Sequence, residues 1–272
     1  MNTHQVAIRN IPLEFREEIH AHLRLFALTI AVDHGEDSYT CAGTLCQVGN
    51  IRGIATAKHV WEQLSTETSF YGLAGQAHVA LRPDLVQPWI PPTSGTLPNT
   101  DAQVPDLAFL RLFDHECTAL EAYGKSFFSL DRRLADPGST LYEEEGYWAV
   151  CGAPQTLIAL ERRSFPSLVY GTYVQQRLEF DSWDYLNIAL DLDENPDLPS
   201  SFGGVSGGGV WRTRFGTDEA ATRFEIANRY RDIFWVGVIF YQTSLEGRSL
   251  IAHGPRSIYQ RLYEGVSNEF VT

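Results

Sequence analysis

Residues 200–211 read SSFGGVSGGGVW and set one serine, Ser206, among glycines. A lone hydroxyl in so permissive a backbone suits three chemistries: a phosphate cradle, a flexible linker, or a turn that presents a nucleophile. A phosphate-binding loop needs a lysine and a Ser/Thr after its last glycine, at the opening of a helix. Here the glycines run into VWRTRF, a strand pattern, and no βαβ unit surrounds them. A linker would sit between domain ends, whereas this stretch leads straight into apolar sequence. Glycine inside a fold serves a positive φ or a close backbone approach. The presented nucleophile is the reading left standing.

A serine hydroxyl is inert at neutral pH until a base takes its proton and a third group orients that base. Of the eight histidines, only His59 closes an apolar run of small residues, GIATAKHVW. Asp106 opens the apolar strand PDLAFLRL, and an acid at the lip of a buried strand is costly unless something pairs with it. His59 is the natural partner.

The elements that must position these three groups are mostly strands. Residues 12–30 suggest a short helix running into a strand. From Tyr39 onward β-rich runs alternate with turns, beginning with a hairpin around Gly49-Asn50. Stretch 88–105, rich in Pro, Ser, Thr and Asn, reads as a long surface loop. Residues 114–145 read as an irregular, acidic connection. Strands resume at Tyr147, and RSIYQRLYEGV closes the chain with helical spacing. Many short strands with few helices predict an all-β barrel or sandwich.

Composition narrows the function classes. With 272 residues and 44% hydrophobic content the chain can bury a large core. Its net charge of −13 repels a phosphate backbone, so nucleic acid is not an expected partner. No segment reads as a membrane span or a secretory signal, so a cytoplasmic location is expected. The four cysteines, 41, 46, 117 and 151, lack metal-ligand spacing and are expected to be reduced. The acidic run 191–197 resembles a calcium loop only at a glance, because Pro196 and Phe202 stand where a glycine and a glutamate are needed. It reads as solvated, as does the run of glutamates at 143–145. No metal site and no cofactor is expected.

Three segments together resemble the trypsin-like (chymotrypsin-fold) serine proteases of bacterial type. TAKHV resembles that family's TAAHC or TAAHV motif, PDLAFLRL its D-[IL]-A-[LV] segment, and GGVSGGGV its GDSGGP motif, in the same chain order. The resemblance spans about residues 39–260. It implies a double six-stranded antiparallel β-barrel with short terminal helices: a helical lead over 1–38, a first barrel over 39–135 carrying His59 and Asp106, and a second over 136–272 carrying Ser206. It implies an endopeptidase working through an acyl-enzyme, with the N–H groups of Gly204 and Ser206 as oxyanion hole. Protein or peptide would be the substrate.

The chain departs from that family in places. Val205 stands where digestive enzymes carry an aspartate that pairs with a freed N-terminus, so that activation switch is not expected. Lys58 precedes His59, so Cys41 has no disulfide partner there. Ser200, by motif counting, lies at the base of the primary specificity pocket and is neutral. Segment 238–242, with Phe240, Tyr241 and Gln242, resembles the strand that pairs with substrate backbone. His253 is expected near the pocket wall, where it could meet an acidic or amide side chain. The alternative reading is a dormant effector or pseudo-protease that binds peptides or waits for an activating protein partner, with 88–105 and 114–145 as its partner surfaces.

Overall fold

The structure is a computed structural model that describes residues 11–33, 38–74, 77–135, 146–155, 168–190, 201–214, 216–217, 224–225, 233–243 and 249–270. Alternating, largely buried runs build two β systems. In the first, β1 (Ala27–Val32), β2 (Tyr39–Val48) and β3 (Ile51–Thr56) form successive antiparallel pairs, continued on one side by β4 (Phe70–Ala74) and β5 (Ala77–Leu81). On the other side β3 pairs with β9 (Ala108–Arg111), which pairs with β6 (Gln87–Trp89); two-residue strands β7 (Gly95–Thr96) and β8 (Gln103–Val104) pair with each other. A parallel β10 (Phe128–Ser129) joins β2, making an eight-stranded sheet. This first half therefore departs from the expected six strands. Strand β1, which the sequence assigns to the lead, lies inside the sheet between β2 and β4.

The second half is a closed six-stranded barrel in the order β11 (Tyr147–Gly152), β12 (Leu168–Phe180), β13 (Trp183–Ala189), β18 (Ser249–His253), β17 (Ile233–Gln242) and β14 (Gly209–Thr213), with β14 returning to β11. A separate pair, β15 (Gly216–Thr217) and β16 (Phe224–Glu225), completes the strands of the described residues. The double-barrel architecture expected from sequence is the one observed.

Among the described residues, five α-helices flank the strands. Helix α1 (Leu13–Leu23) precedes β1 and reaches the second half through His20, whose Nε2 lies 2.8 Å from Tyr147 Oη. Helix α2 (Lys58–Leu64) follows β3. The segment 114–145, expected to be irregular, contains α3 (Asp114–Ala122) and α4 (Leu130–Leu134). A wider π-type turn, Ser257–Leu262, leads into α5 (Tyr263–Phe270). No helix of the described residues is long and apolar enough to cross a membrane.

Aromatic rings fasten the halves together. Phe26, ahead of β1, stacks on Trp211 of β14 with centroids 5.5 Å apart, and Phe128 of β10 meets the same indole edge-on at 5.4 Å. Such pairs add roughly 0.5–1.5 kcal/mol each beyond the apolar area they bury. Trp148, Trp211 and Trp235 are among the largest fully buried side chains. All four cysteines are buried and unpaired.

Candidate active site

The charge pair comes from the first half. His59 lies in the first turn of α2, three residues past β3, rather than at a strand end as its apolar run suggests. Asp106 sits two residues before β9, and β9 pairs with β3, so the register brings the two side chains together. Nδ1 of His59 is 2.6 Å from Asp106 Oδ2, and the main-chain N–H of His59 donates to Oδ1 at 3.0 Å. An ionised carboxylate only accepts, so this contact fixes the neutral ring's proton on Nδ1 and leaves Nε2 with a lone pair. The Asp106 side chain is 15% exposed and the His59 side chain 45%, so the ring keeps an open edge.

The hydroxyl comes from the turn before β14 in the second half, and it is seated on the first. Ser206 O accepts from Ala42 N at 2.9 Å, and Gly207 N donates to Ile239 O at 2.7 Å. Gly207 has φ +87°, and a Cβ there would lie 1.9 Å from Ala42 O and 2.1 Å from Thr56 Oγ1. Only glycine permits that approach. Thr56 in turn donates from Oγ1 to Ala42 O at 2.8 Å. Thr56 is three residues before His59, so the serine turn rests against the strand end that launches the histidine helix. Among the described residues the half-buried Ser206 hydroxyl has no hydrogen-bond partner, His59 included.

The turn carries two unused donors. Among the described residues, the N–H groups of Gly204, with φ +90°, and Ser206 meet no acceptor, while Val205 N between them donates to Phe202 O at 3.0 Å and Gly208 N to Val205 O at 2.8 Å. Alternate N–H groups left free beside a serine hydroxyl form the kind of donor pair that can receive a developing oxyanion. Val205 is 1% exposed and packs against Gly152, an apolar contact at the centre of the turn.

The residues expected to bind substrate are distributed unevenly. Gln242, at the end of β17, accepts from Phe202 N through Oε1 at 3.3 Å and so steadies the serine turn. Tyr241 donates its hydroxyl to Asp101, a carboxylate the sequence reading did not single out. Phe240 is 3% exposed and turns inward, with its ring centroid 4.8 Å from that of His253. His253 itself is 0% exposed and is also enclosed by Tyr185 and Trp183 at 5.2 and 5.7 Å, so its ring offers no surface to a substrate in this conformation. Burial lowers its pKa to about 4, against an opposing pull from Asp106. Ser200 and the acidic runs at 143–145 and 191–197 lie outside the described residues. No metal-binding cluster occurs among the described residues.

No protein-family profile matches the chain, and no curated protein does. Solved structures do. The Rv3671c protease of M. tuberculosis H37Rv, in its inactive form, superposes with a TM-score of 0.51 at 12% identity, covering 96% of this chain and 97% of that one. The thermostable serine protease AL20 from an extremophilic microorganism gives 0.49 at 13% identity over 90% and 98% of the two chains, and an inactivated protease paralogue of the scabies mite gives 0.49 at 12% over 91% and 96%. The chain thus has the chymotrypsin-like double-barrel fold. At such identities the likeness speaks for the fold, and the chemistry has to be argued from the residues in hand.

Proposed function

We propose that this protein is a serine endopeptidase in which Ser206, His59 and Asp106 act as a catalytic triad. The observation that carries the reading is the doubly bonded His59–Asp106 pair, with its ring edge open, beside a serine turn that leaves two N–H donors free. In this reading Ser206 Oγ attacks the scissile carbonyl carbon while His59 Nε2 takes its proton. The carbonyl oxygen, now negative, is held by the N–H groups of Gly204 and Ser206. Collapse expels the amine, which receives the proton from His59, and water then hydrolyses the acyl-enzyme by the same steps. Substrate backbone would pair with the end of β17, at Phe240–Gln242, with neutral Ser200 at the pocket base. The four unpaired, buried thiols support a reducing, cytoplasmic setting.

Labelling with a fluorophosphonate probe tests this directly. The wild-type protein should be labelled, and Ser206→Ala and His59→Ala should not. A second reading is favoured by the missing Ser206–His59 hydrogen bond: a dormant form that an activating protein completes. Folded wild-type protein that stays unlabelled until a partner is added would select it.

A further inference from the structure

The two oxyanion donors of the proposed site are main-chain groups, and a main-chain N–H points wherever its peptide plane points. The plane between Gly203 and Gly204 is fixed from its other end. Gly203 O accepts from Gln155 N at 2.7 Å, one of the shorter main-chain bonds outside regular elements. In a trans peptide the C=O and N–H face opposite ways. Holding the oxygen on Gln155 therefore turns the Gly204 N–H to the other side, where it meets no acceptor among the described residues. A rotated plane would present a carbonyl oxygen in place of that N–H.

The surroundings hold this orientation. A Cβ on Gly204 would come 2.5 Å from Ala153 O and 3.0 Å from Gln155 N, so the loop lies tight against 153–155. Ala153 O is taken by Thr40 Oγ1 at 3.3 Å, and Gln155 Nε2 lies 3.5 Å from Ser38 O, which ties the same segment to the first half. Val205 carries no charge that could anchor the loop to an amino terminus.

We infer that Gln155 is a positioning residue whose main-chain N–H clamps the Gly203–Gly204 peptide, so that the oxyanion donor is set by the fold itself with no charged anchor at position 205. The inference rests on the serine-protease reading for its catalytic meaning, but the clamp can be measured without catalysis.

Two substitutions separate the main chain from the side chain. Gln155→Pro removes the N–H and puts a ring carbon in its place, so Gly203 O loses its donor and must move away. Gln155→Ala keeps the N–H. With p-nitrophenyl acetate as substrate, Gln155→Ala should keep kcat within about twofold, and Gln155→Pro should lower it by about 100-fold with KM nearly unchanged, the scale of losing one oxyanion donor. A folded Gln155→Pro protein with wild-type kcat, or an alanine variant as damaged as the proline one, overturns the clamp. In wild-type protein the Gln155 amide should also exchange its hydrogen slowly; exchange at the rate of an unstructured peptide overturns the clamp whatever the activity. Protected exchange in a protein that neither reacts with ester nor takes the fluorophosphonate would leave the clamp standing and sink the protease reading instead.

Discussion

Asp106 holds His59 at two points, the ring through Oδ2 and the main chain through Oδ1, at 2.6 and 3.0 Å. The same carboxylate therefore fixes both the first turn of α2 and the tautomer of the ring it carries. Asp106→Asn separates these roles. The amide can still accept from the His59 N–H, but its NH2 group facing Nδ1 forces the ring proton onto Nε2, where no proton can then be received. A kcat loss of order ten-thousandfold with nearly unchanged thermal stability is expected. Steady-state kinetics beside a melting curve checks it, and a loss below tenfold would refute the assigned base.

The serine turn depends on a missing side chain. Gly207→Ala would drive a methyl into Ala42 O and Thr56 Oγ1 at a φ that non-glycine residues resist. Left-handed strain alone costs about 1–3 kcal/mol, and the clash adds to it. We expect a clear drop in urea midpoint together with loss of fluorophosphonate labelling. Unchanged labelling would mean that the turn is not seated where the geometry puts it.

Asp184 organises the C-terminal end. Its buried carboxylate accepts from Ser257 N at 2.6 Å, Ser257 Oγ at 2.8 Å and Arg256 N at 3.0 Å, satisfying donors that open the terminal helical segment. Asp184→Ala leaves those donors unpaired, at a cost of about 1–3 kcal/mol. Hydrogen exchange should accelerate over Arg256–Phe270 more than over β11 or β14. Uniform acceleration would argue for a general loss of packing instead.

His253 makes stability depend on pH. Burial lowers its pKa to about 4 in the fold, against about 6.5 in an unfolded chain, so between these values the unfolded state binds more protons. Its contribution is complete above about pH 6.5 and is lost as pH falls towards 4, amounting to about 2 kcal/mol by pH 5. His253→Phe, which suits the surrounding rings, should flatten the difference between urea midpoints at pH 7 and pH 5. An equal pH 7-to-5 loss in the variant would show that the proton enters elsewhere, for instance at His20, whose burial also lowers its pKa to about 4.

Much of the site is legible in the sequence because the residues that would do chemistry sit in short apolar contexts: TAKHV at the end of β3, PDLAF at the start of β9, and glycines around Ser206. The supports are silent. Gln155 acts through an amide that every residue but proline owns, and Ala42 and Thr56 offer a carbonyl and a hydroxyl with no distinguishing pattern. Helix α3 was hidden because its start carries Phe113 where a serine or threonine would announce a cap; the Glu116 carboxylate accepts from Phe113 N at 2.8 Å instead. His253 reads as a pocket residue until Trp183, Tyr185 and Phe240, distant in sequence or facing it across strands, close around it. Strands β7 and β8 are two residues each, too short for alternation to register.

The four cysteines carry a practical consequence. Burial pushes the thiols of Cys117 and Cys151 up to about 11 and about 12, and those of Cys41 and Cys46 higher still, so none offers thiolate at neutral pH. The native surface is chemically blank towards maleimides and iodoacetamides. A single exposed substitution such as Glu62→Cys, on the helix that carries His59, would therefore take a fluorophore at one known place, one turn along from the proposed base, and binding there could be read by light.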